Sequence, residues 1–164
     1  MNGMPNHLLA KDAFRRIMGC YPTGVCIVTS MQGDEPLGMV VGSFTSISLD
    51  PLLVGFFPAK TSRTWAKIAA SGRFCVNVLG QHQLEMCKIF ASNAADKFAN
   101  MVHSMSPAGM PIVDDAVAWI DCTISEVHEI GDHYLAVGAV ESADSLANLP
   151  LVFLRGSYCG VNIQ

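Results

Sequence analysis

The sequence predicts a mostly β barrel that also contains two or three short helices. Seven or so segments are rich in β-branched residues or alternate between apolar and polar residues, which is typical of strands. Because strands dominate and the helices are few and short, a barrel is favoured over a stack of βαβ units. A chain of 164 residues has the length of one domain. We therefore expect one domain over residues 1–164, with residues 1–11 as a flexible lead.

The first half of the chain is predicted to contain one helix and three strands. Residues 10–18 place Phe14, Ile17 and Met18 on one face of a short helix. Residues 37–48 are predicted to form one long strand with Gly42 inside it, and such a glycine indicates a bulge or the close approach of a ligand. The other strands are predicted over residues 25–30 and 52–57, with a turn over residues 32–36.

The second half of the chain is predicted to contain two helices and a long hairpin. Trp65, Ile68 and Ala69 are expected to face inward on a helix over residues 65–70. The turn sequence Gly131-Asp132-His133 is expected to join two long strands as a hairpin. The remaining expectations are strands over residues 73–79, 117–130, 134–141, 151–154 and 158–161, a helix over residues 83–91, and irregular structure over residues 93–108.

Residues 117–130 alternate between apolar and polar side chains. This pattern is typical of an antiparallel strand with one face on the core and the other in solvent. The face predicted to be apolar carries Ile120, Cys122 and Ile124, and the face predicted to be solvated carries Asp121, Thr123 and Ser125.

The composition excludes several classes of protein. Apolar residues make up 51% of the chain and charged residues 15%, against a usual charged share of about 25%, so the chain is not a disordered tail. Few charges are left to cover the surface, which suggests a buried subunit contact. A net charge of -4 argues against nucleic-acid binding. No apolar run reaches the roughly 18 residues of a membrane span, and no signal pattern opens the chain, so we expect a cytoplasmic protein.

The cysteines and histidines do not predict a metal or redox site. The six cysteines include no CxxC pair, and the five histidines form no spaced metal pair. We expect Cys75, Cys122 and Cys159 to be buried free thiols that behave as small apolar residues. The sequence also lacks GxGxxG, the P-loop and GxSxG, so the common dinucleotide, phosphate-loop and hydrolase motifs are unsupported.

Two segments could bind a ligand. The first runs from Val40 to Ser46 and combines small residues, hydroxyls and Gly42, as the edge of a planar polar ring such as a flavin would require. An ordinary edge strand with polar outward residues explains the same alternation. The second runs from Lys60 to Thr64 at the start of a predicted helix, where free N–H groups and the helix dipole suit a phosphate. Plain N-capping by Thr61 or Ser62 is the alternative explanation there.

The segment from Gly38 to Pro58, GMVVGSFTSISLDPLLVGFFP, resembles the flavin reductase family with the FMN-binding split barrel. The resemblance is to the small reductase components of two-component flavin monooxygenases of the phenol and 4-hydroxyphenylacetate hydroxylase type. It continues through YPTGVCIVTS, KTSRTW, SGRFCVNVL, DKF, GDH and PLVFLRGSY, and it covers nearly the whole chain from about Asp12 onward.

The resemblance implies a homodimeric Greek-key split barrel that transfers a hydride from NADH or NADPH to FMN or FAD. It places the Val40–Ser46 segment along the flavin ring, the Lys60–Thr64 segment at the ribityl phosphate, and His133 near the nicotinamide. Many members read Ala-Asn-Ser where this chain has Val41-Gly42-Ser43, so a flavin contact from that Asn must come from the backbone here or be absent. The predicted site residues are His133 as the catalytic residue and Val40, Val41, Gly42, Ser43, Thr45, Ser46, Phe57, Lys60, Thr61, Ser62, Arg63, Thr64, Asn77 and Phe98 as cofactor-binding residues.

The expected function is a flavin reductase that supplies reduced flavin to a partner monooxygenase. A flavin-carrying or flavin-sensing protein on the same barrel remains an alternative, because a fold does not fix a function. A pyridoxamine-phosphate-oxidase-like enzyme on a related barrel is a third possibility, against which the GDH turn and the SFTS segment argue.

Overall fold

The structure, a computed structural model, describes residues 9–164. The predicted flexible lead lies largely outside the described residues, and its last residue, Lys11, opens a helix. The helices are α1 (Lys11–Met18), α2 (Arg63–Ser71) and α3 (Leu84–Ala91), with a 3-10 helix at Gln81–Gln83. The strands are β1 (Thr23–Gly24), β2 (Cys26–Gln32), β3 (Glu35–Val41), β4 (Thr45–Leu49), β5 (Leu52–Phe56), β6 (Arg73–Val78), β7 (His103–Met105), β8 (Pro111–Val113), β9 (Ala118–Ile130), β10 (His133–Ser145), β11 (Val152–Leu154) and β12 (Ser157–Cys159).

Seven strands form one antiparallel sheet in the order β3-β2-β6-β9-β10-β5-β4. Its two edge strands, β3 and β4, are joined by only three residues, 42–44. Strands lie about 4.8 Å apart, so a flat sheet would separate these edges by roughly 29 Å. The four peptide steps from Val41 to Thr45 span at most about 14 Å. The sheet must therefore curl into a barrel, and because β3 and β4 are not hydrogen-bonded neighbours in it, the barrel is split at this seam. The predicted barrel is confirmed.

The predicted single strand over residues 37–48 is wrong, because the structure divides it into β3 and β4. The ladder between β2 and β3 ends at the pair Cys26 and Val41, and the chain then crosses to the opposite edge of the sheet. Gly42 lies in this crossing and not inside a strand. A Cβ at Gly42 would come within 3.3 Å of the Thr23 hydroxyl oxygen, so a side chain there would crowd β1. Gly42 therefore occupies a position that favours glycine, but this position is a corner of the barrel and not the interior of a strand.

The long hairpin is confirmed, with β9 and β10 joined through Gly131 and Asp132. Gly131 has φ +58, a left-handed conformation that glycine adopts without steric cost. The predicted solvated face of β9 is wrong at Asp121, which is fully buried. The register shifts between Val140 and Ser142, opposite Asp121, which turns this carboxylate inward. One of its oxygens accepts hydrogen bonds from the Ala108 N–H at 3.3 Å and the Ser142 hydroxyl at 3.4 Å.

Helix α2 is held against the barrel by aromatic packing. Trp65 and Ile68 are buried as predicted, and Ala69 packs partly buried beside them. Phe56 contacts both Trp65 and Phe74 edge-to-face, with ring centroids 5.5 Å and 5.2 Å apart. This packing fixes the position of the α2 N-terminus relative to the strand β5.

Helix α1 behaves differently, because none of its residues is buried. Phe14, Ile17 and Met18 form the predicted apolar face, yet their exposed fractions are 53%, 58% and 50%. The apolar face of α1 therefore has no burying contact within the described part of the chain.

The remaining differences from the predictions are local. The segment predicted to be irregular contains β7, which pairs with β8. Cys75 and Cys122 are buried free thiols as predicted, whereas Cys159 is exposed, so that prediction is wrong. Burial raises the pKa of the Cys122 thiol to about 12, with a further contribution from the Asp121 charge. Cys122 is therefore held as an unreactive thiol. No helix within residues 9–164 is long and apolar enough to cross a membrane.

Candidate functional site

The seam of the barrel brings hydroxyl groups to an open edge. The Ser43 hydroxyl oxygen accepts a hydrogen bond from the Phe57 backbone N–H at 2.9 Å, which ties the link to the end of β5. Thr45 and Ser46 begin β4 and are exposed, and the Thr45 hydroxyl donates to the Ser46 carbonyl at 3.2 Å. Phe57 is itself 37% exposed. The structure thus brings Ser43 into contact with Phe57, and Thr45 and Ser46 follow directly on β4.

A small cleft of about 220 Å³ lies on the other side of the link. Val40, Val41 and Gly42 from the predicted set line it. Sequence reasoning missed four further lining residues, Thr23, Val25, Phe153 and Tyr158, and the ring centroids of Phe153 and Tyr158 lie 5.1 Å apart. Phe153 and Tyr158 belong to the PLVFLRGSY motif. The sequence does not predict that they reach the cleft, because β1 and β11 are too short for their pairing to be recognised.

The N-terminus of α2 is capped by Ser62, whose hydroxyl oxygen accepts from the Trp65 N–H at 3.1 Å. The capping explanation for this segment is therefore correct for Ser62. It does not exclude an anion site, because the first N–H groups of a helix have no intrahelical acceptor and the dipole is positive there. Arg63 is exposed, and no carboxylate in residues 9–164 lies within ion-pair distance of it. Thr61 is exposed and Thr64 half-buried beside it.

Lys60 has a different environment from Arg63. Its Nζ lies 2.7 Å from a Glu129 carboxylate oxygen and 5.6 Å from the centre of the Tyr134 ring. The hydrogen bond that Lys60 donates to Glu129 raises the pKa of Lys60 and lowers the pKa of Glu129. The positive charge of Lys60 is therefore compensated within the protein, and Arg63 is the more available cation.

The segment around Lys60 is joined to the turn that carries His133. The Lys60 N–H donates to the Asp132 carbonyl at 3.0 Å, and the Tyr134 N–H donates to the Pro58 carbonyl at 2.9 Å. His133 Nδ1 lies 2.7 Å from an Asp132 carboxylate oxygen, and this hydrogen bond lowers the pKa of Asp132. Because Nδ1 is engaged by Asp132, Nε2 is the nitrogen of the half-exposed ring that remains available to a ligand. The two segments are thus one structural unit.

A larger cleft of about 760 Å³ lies between β3, α2 and residues 94–99. It contains Arg63, Thr64 and Phe98 from the predicted set, together with Lys67 and Lys97. Phe98 packs edge-to-face on Phe90 with ring centroids 5.0 Å apart. Lys97 Nζ donates to the Phe90 carbonyl at 2.7 Å, and partial burial lowers the pKa of Lys97. We call this region the β3–α2 cleft.

Asn77 does not have the environment that its predicted cofactor contact requires. The side chain is fully buried. Its amide nitrogen donates to the Ile27 carbonyl at 3.2 Å and the Thr29 hydroxyl at 3.1 Å, and its oxygen accepts from the Val113 N–H at 2.8 Å. Asn77 thus satisfies polar groups between β2, β6 and β8. Because its side chain is fully buried, the predicted contact between Asn77 and a cofactor is wrong.

The remaining residues are suited to binding and orienting a ligand. They offer exposed hydroxyls, a helix N-terminus, an available guanidinium and an aromatic side chain, which match the polar ring, the phosphate and the apolar face of a flavin nucleotide. Gly42 lines the small cleft together with Val40 and Val41, and its missing Cβ leaves room for the Thr23 side chain. The residues present therefore fit a flavin.

Comparison with known proteins also supports a flavin-binding protein. The sequence model of the flavin reductase like domain family matches residues 18–162. The chain is 51% identical over 153 residues to a flavin reductase from Pseudomonas putida, covering 90% of this chain and 88% of that protein. It is 44% identical to the reductase subunit HsaB of a flavin-dependent monooxygenase from Mycobacterium tuberculosis, covering 90% of this chain and 81% of that protein.

Solved structures of similar proteins share the fold. Nitrilotriacetate monooxygenase component B from Mycobacterium thermoresistibile has a TM-score of 0.91 at 42% identity, covering 93% of this chain and 87% of that one. The NADH:FAD oxidoreductase SgcE6 of Streptomyces globisporus, solved in complex with NAD and FAD fragments, has a TM-score of 0.86 at 34% identity, with 91% of each chain covered. The chain therefore belongs to the flavin reductase-like domain family and has the split-barrel fold of its flavin reductases.

Proposed function

We propose that this member of the flavin reductase-like family oxidises NADH or NADPH, reduces FMN or FAD, and passes the reduced flavin to a partner monooxygenase. The observation that carries the proposal is the pair of backbone hydrogen bonds that joins the Lys60 segment, predicted to bind the phosphate, to the turn of His133, predicted to bind the nicotinamide. Relatives named as flavin reductases and as reductase subunits of flavin-dependent monooxygenases support it.

The protein's contribution is binding and orientation. The flavin and the nicotinamide supply the redox chemistry when both are bound. Arg63 and the first N–H groups of α2 hold the phosphate, and the hydroxyls of Ser43, Thr45 and Ser46 face the polar edge of the ring. His133, held by Asp132, positions the nicotinamide. Stacking two rings in reactive geometry is the main source of rate acceleration for such a reaction.

NADH oxidation measured with and without added free flavin tests the proposal. We expect the purified protein to oxidise NADH several-fold faster when free FMN or FAD is supplied, because the flavin is a substrate that leaves after reduction. A flavin-carrying or flavin-sensing protein would instead retain tightly bound flavin and show little turnover. Absence of both NADH and NADPH oxidation with either flavin would contradict the proposal and favour that alternative.

Arg63→Ala should weaken flavin binding without altering the fold. Loss of a charge-assisted hydrogen bond to the phosphate corresponds to about 1.5–3 kcal/mol, so the KM for flavin should rise by roughly tenfold or more. Steady-state kinetics with varied flavin measure this change. Lys88→Ala is a matched control, because Lys88 is an exposed helical cation paired with Glu85 at 2.7 Å, outside the clefts described above. An unchanged flavin KM in Arg63→Ala would contradict the phosphate assignment.

His133→Ala should slow reduction of bound flavin and raise the KM for NADH while leaving flavin affinity nearly intact. The reason is that His133 is expected to contact the nicotinamide and not the flavin. Single-turnover mixing of the flavin-loaded protein with NADH measures the rate, and the two constants separate binding from reaction. His128→Ala is the control on the same hairpin, with its ring held by Glu126 at 2.6 Å. Wild-type rates in His133→Ala, or an equal loss of flavin affinity, would contradict the role.

The proposal includes a homodimer. The uncovered apolar face of α1 and the exposed Leu49, at 84%, are the surfaces that support it. An obligate dimer buries roughly 2,000 Å² or more. Sedimentation at micromolar concentration should therefore give twice the 17.6 kDa mass of the chain. A monomer under these conditions would count against the dimer.

The proposed partners are the flavin, the nicotinamide nucleotide and a monooxygenase, and they do not include nucleic acid. The net charge of -4 does not suit nucleic acid. A cytoplasmic location, where nicotinamide nucleotides and a monooxygenase partner would both be available, completes the proposal.

A further inference from the structure

A surface depression of about 490 Å³ lies where the register of the β9–β10 hairpin shifts. Its lining residues are Arg73, Pro107, Ala108, Glu141 and Ser142. None of them lines the small cleft or the β3–α2 cleft, so this inference is independent of the proposed function. We propose that the depression binds a monovalent alkali cation, with the carboxylate of Asp121 and the hydroxyl of Ser142 as its protein ligands.

The carboxylate of Asp121 lies directly beneath the depression, and its side chain is fully buried. The Ala108 N–H and the Ser142 hydroxyl, which both belong to the lining, donate to one carboxylate oxygen, Oδ2, at 3.3 Å and 3.4 Å. These distances exceed the usual range of about 2.7–3.0 Å, so both hydrogen bonds are weak. The other oxygen, Oδ1, has no hydrogen-bond partner within residues 9–164.

A carboxylate in this environment needs a positively charged partner. Burial of an ionised group is unfavourable unless the group is paired, well hydrogen-bonded or bound to a metal ion. The weak hydrogen bonds to Oδ2 of Asp121 compensate little of its charge, and Oδ1 receives none from the described part of the chain. A cation bound at Oδ1 would remove this cost.

The charged side chains around Asp121 leave one negative charge in excess. Arg73 is the cation of the lining, and its Nη1 lies 2.8 Å from a Glu141 carboxylate oxygen. The Thr123 hydroxyl donates to the other Glu141 oxygen, and this bond and Arg73 lower the pKa of Glu141, so Glu141 stays ionised. Burial, with a smaller contribution from the Asp121 charge, raises the pKa of the Cys75 thiol, so Cys75 stays neutral. One positive and two negative charges are therefore balanced by a single monovalent cation.

The oxygen atoms at the depression suit an alkali cation. Hard cations take oxygen ligands from carboxylates, hydroxyls and water. The register shift between Val140 and Ser142 places Ser142 opposite Asp121, and the Ser142 oxygen keeps lone pairs for a cation while its hydrogen is donated. Within residues 9–164 no three carboxylate, thiol or imidazole groups are grouped as a divalent metal would require. Asp121 and Ser142, completed by water from the open side, fit a weakly held monovalent ion.

The test is the thermal unfolding midpoint in sodium chloride, potassium chloride and choline chloride at equal ionic strength, so that screening is the same in all three salts. Choline is too large to enter the site. A ligand that binds only the folded chain stabilises it, so we expect sodium or potassium to raise Tm by about 3 °C or more relative to choline. Identical midpoints in the three salts would overturn the proposal.

Two variants assign the effect to the site. Asp121→Asn keeps the shape of the side chain but removes its charge, and it should abolish the difference between alkali salts and choline. Ser142→Ala removes the second ligand and should reduce the difference by half or more. Asp144→Asn is the matched control, because Asp144 is an exposed carboxylate on β10 outside the depression, and it should keep the full difference. A difference that survives in both site variants would overturn the assignment.

Sodium NMR gives a direct measurement that does not depend on unfolding. The wild-type chain should broaden the sodium signal, and added potassium chloride should reverse the broadening. Ser142→Ala should broaden the signal less, which keeps the proposal testable where Asp121→Asn does not fold. Broadening that is equal in the wild type and in Ser142→Ala would count against the site. Flavin reduction measured well below Tm should be the same in the wild type and in Ser142→Ala, so the reductase proposal is tested separately.

Discussion

The three-residue link between β3 and β4 is the constraint on which the rest of the structure depends. Its ends belong to opposite edges of a seven-stranded sheet, so the sheet can satisfy the link only by curling until those edges meet. The seam that results is not closed by backbone hydrogen bonds between β3 and β4. A seam of this kind leaves backbone groups and hydroxyls available at a fixed place, which is what a ligand site on a rigid scaffold needs.

The same closure sets the positions of the functional segments. Ser43 in the link holds the Phe57 N–H, and the chain continues from Phe57 into the segment that pairs with the His133 turn and then into α2. Aromatic packing of Phe56 against Trp65 fixes the start of α2 to the barrel. One continuous stretch of about twenty residues thus connects the seam, the hairpin turn and the helix N-terminus. The segments predicted to bind the flavin ring and the phosphate belong to this stretch, and backbone hydrogen bonds join it to the turn that carries His133.

The sequence was sufficient to predict the fold class, the hairpin and the α2 helix, because those features depend on local patterns and on motifs shared with the family. The sequence did not predict the features that depend on pairing between strands distant in the chain. Residues 37–48 have an unbroken strand pattern, and only the sheet order shows that the chain changes edges at Gly42. In the alternating pattern of β9, Asp121 occupies a position predicted to face solvent, yet the register shift at Ser142 buries it. Asn77 belongs to a family-like motif, but its side chain serves the core. Phe153 and Tyr158 reach the small cleft through pairings that short strands do not reveal.

The distribution of charge around α2 explains how a chain with few cations can recognise a phosphate. Lys60 is adjacent to the phosphate segment, but its charge is matched by Glu129. Solvent screens an exposed ion pair of this kind, so the backbone hydrogen bonds to the Asp132 carbonyl and from the Tyr134 N–H hold the segment on the hairpin. Glu129 instead sets which cations remain available. Because Lys60 is compensated and Lys97 is turned toward the Phe90 carbonyl, the positive potential is left on one face of α2, at Arg63 and Lys67.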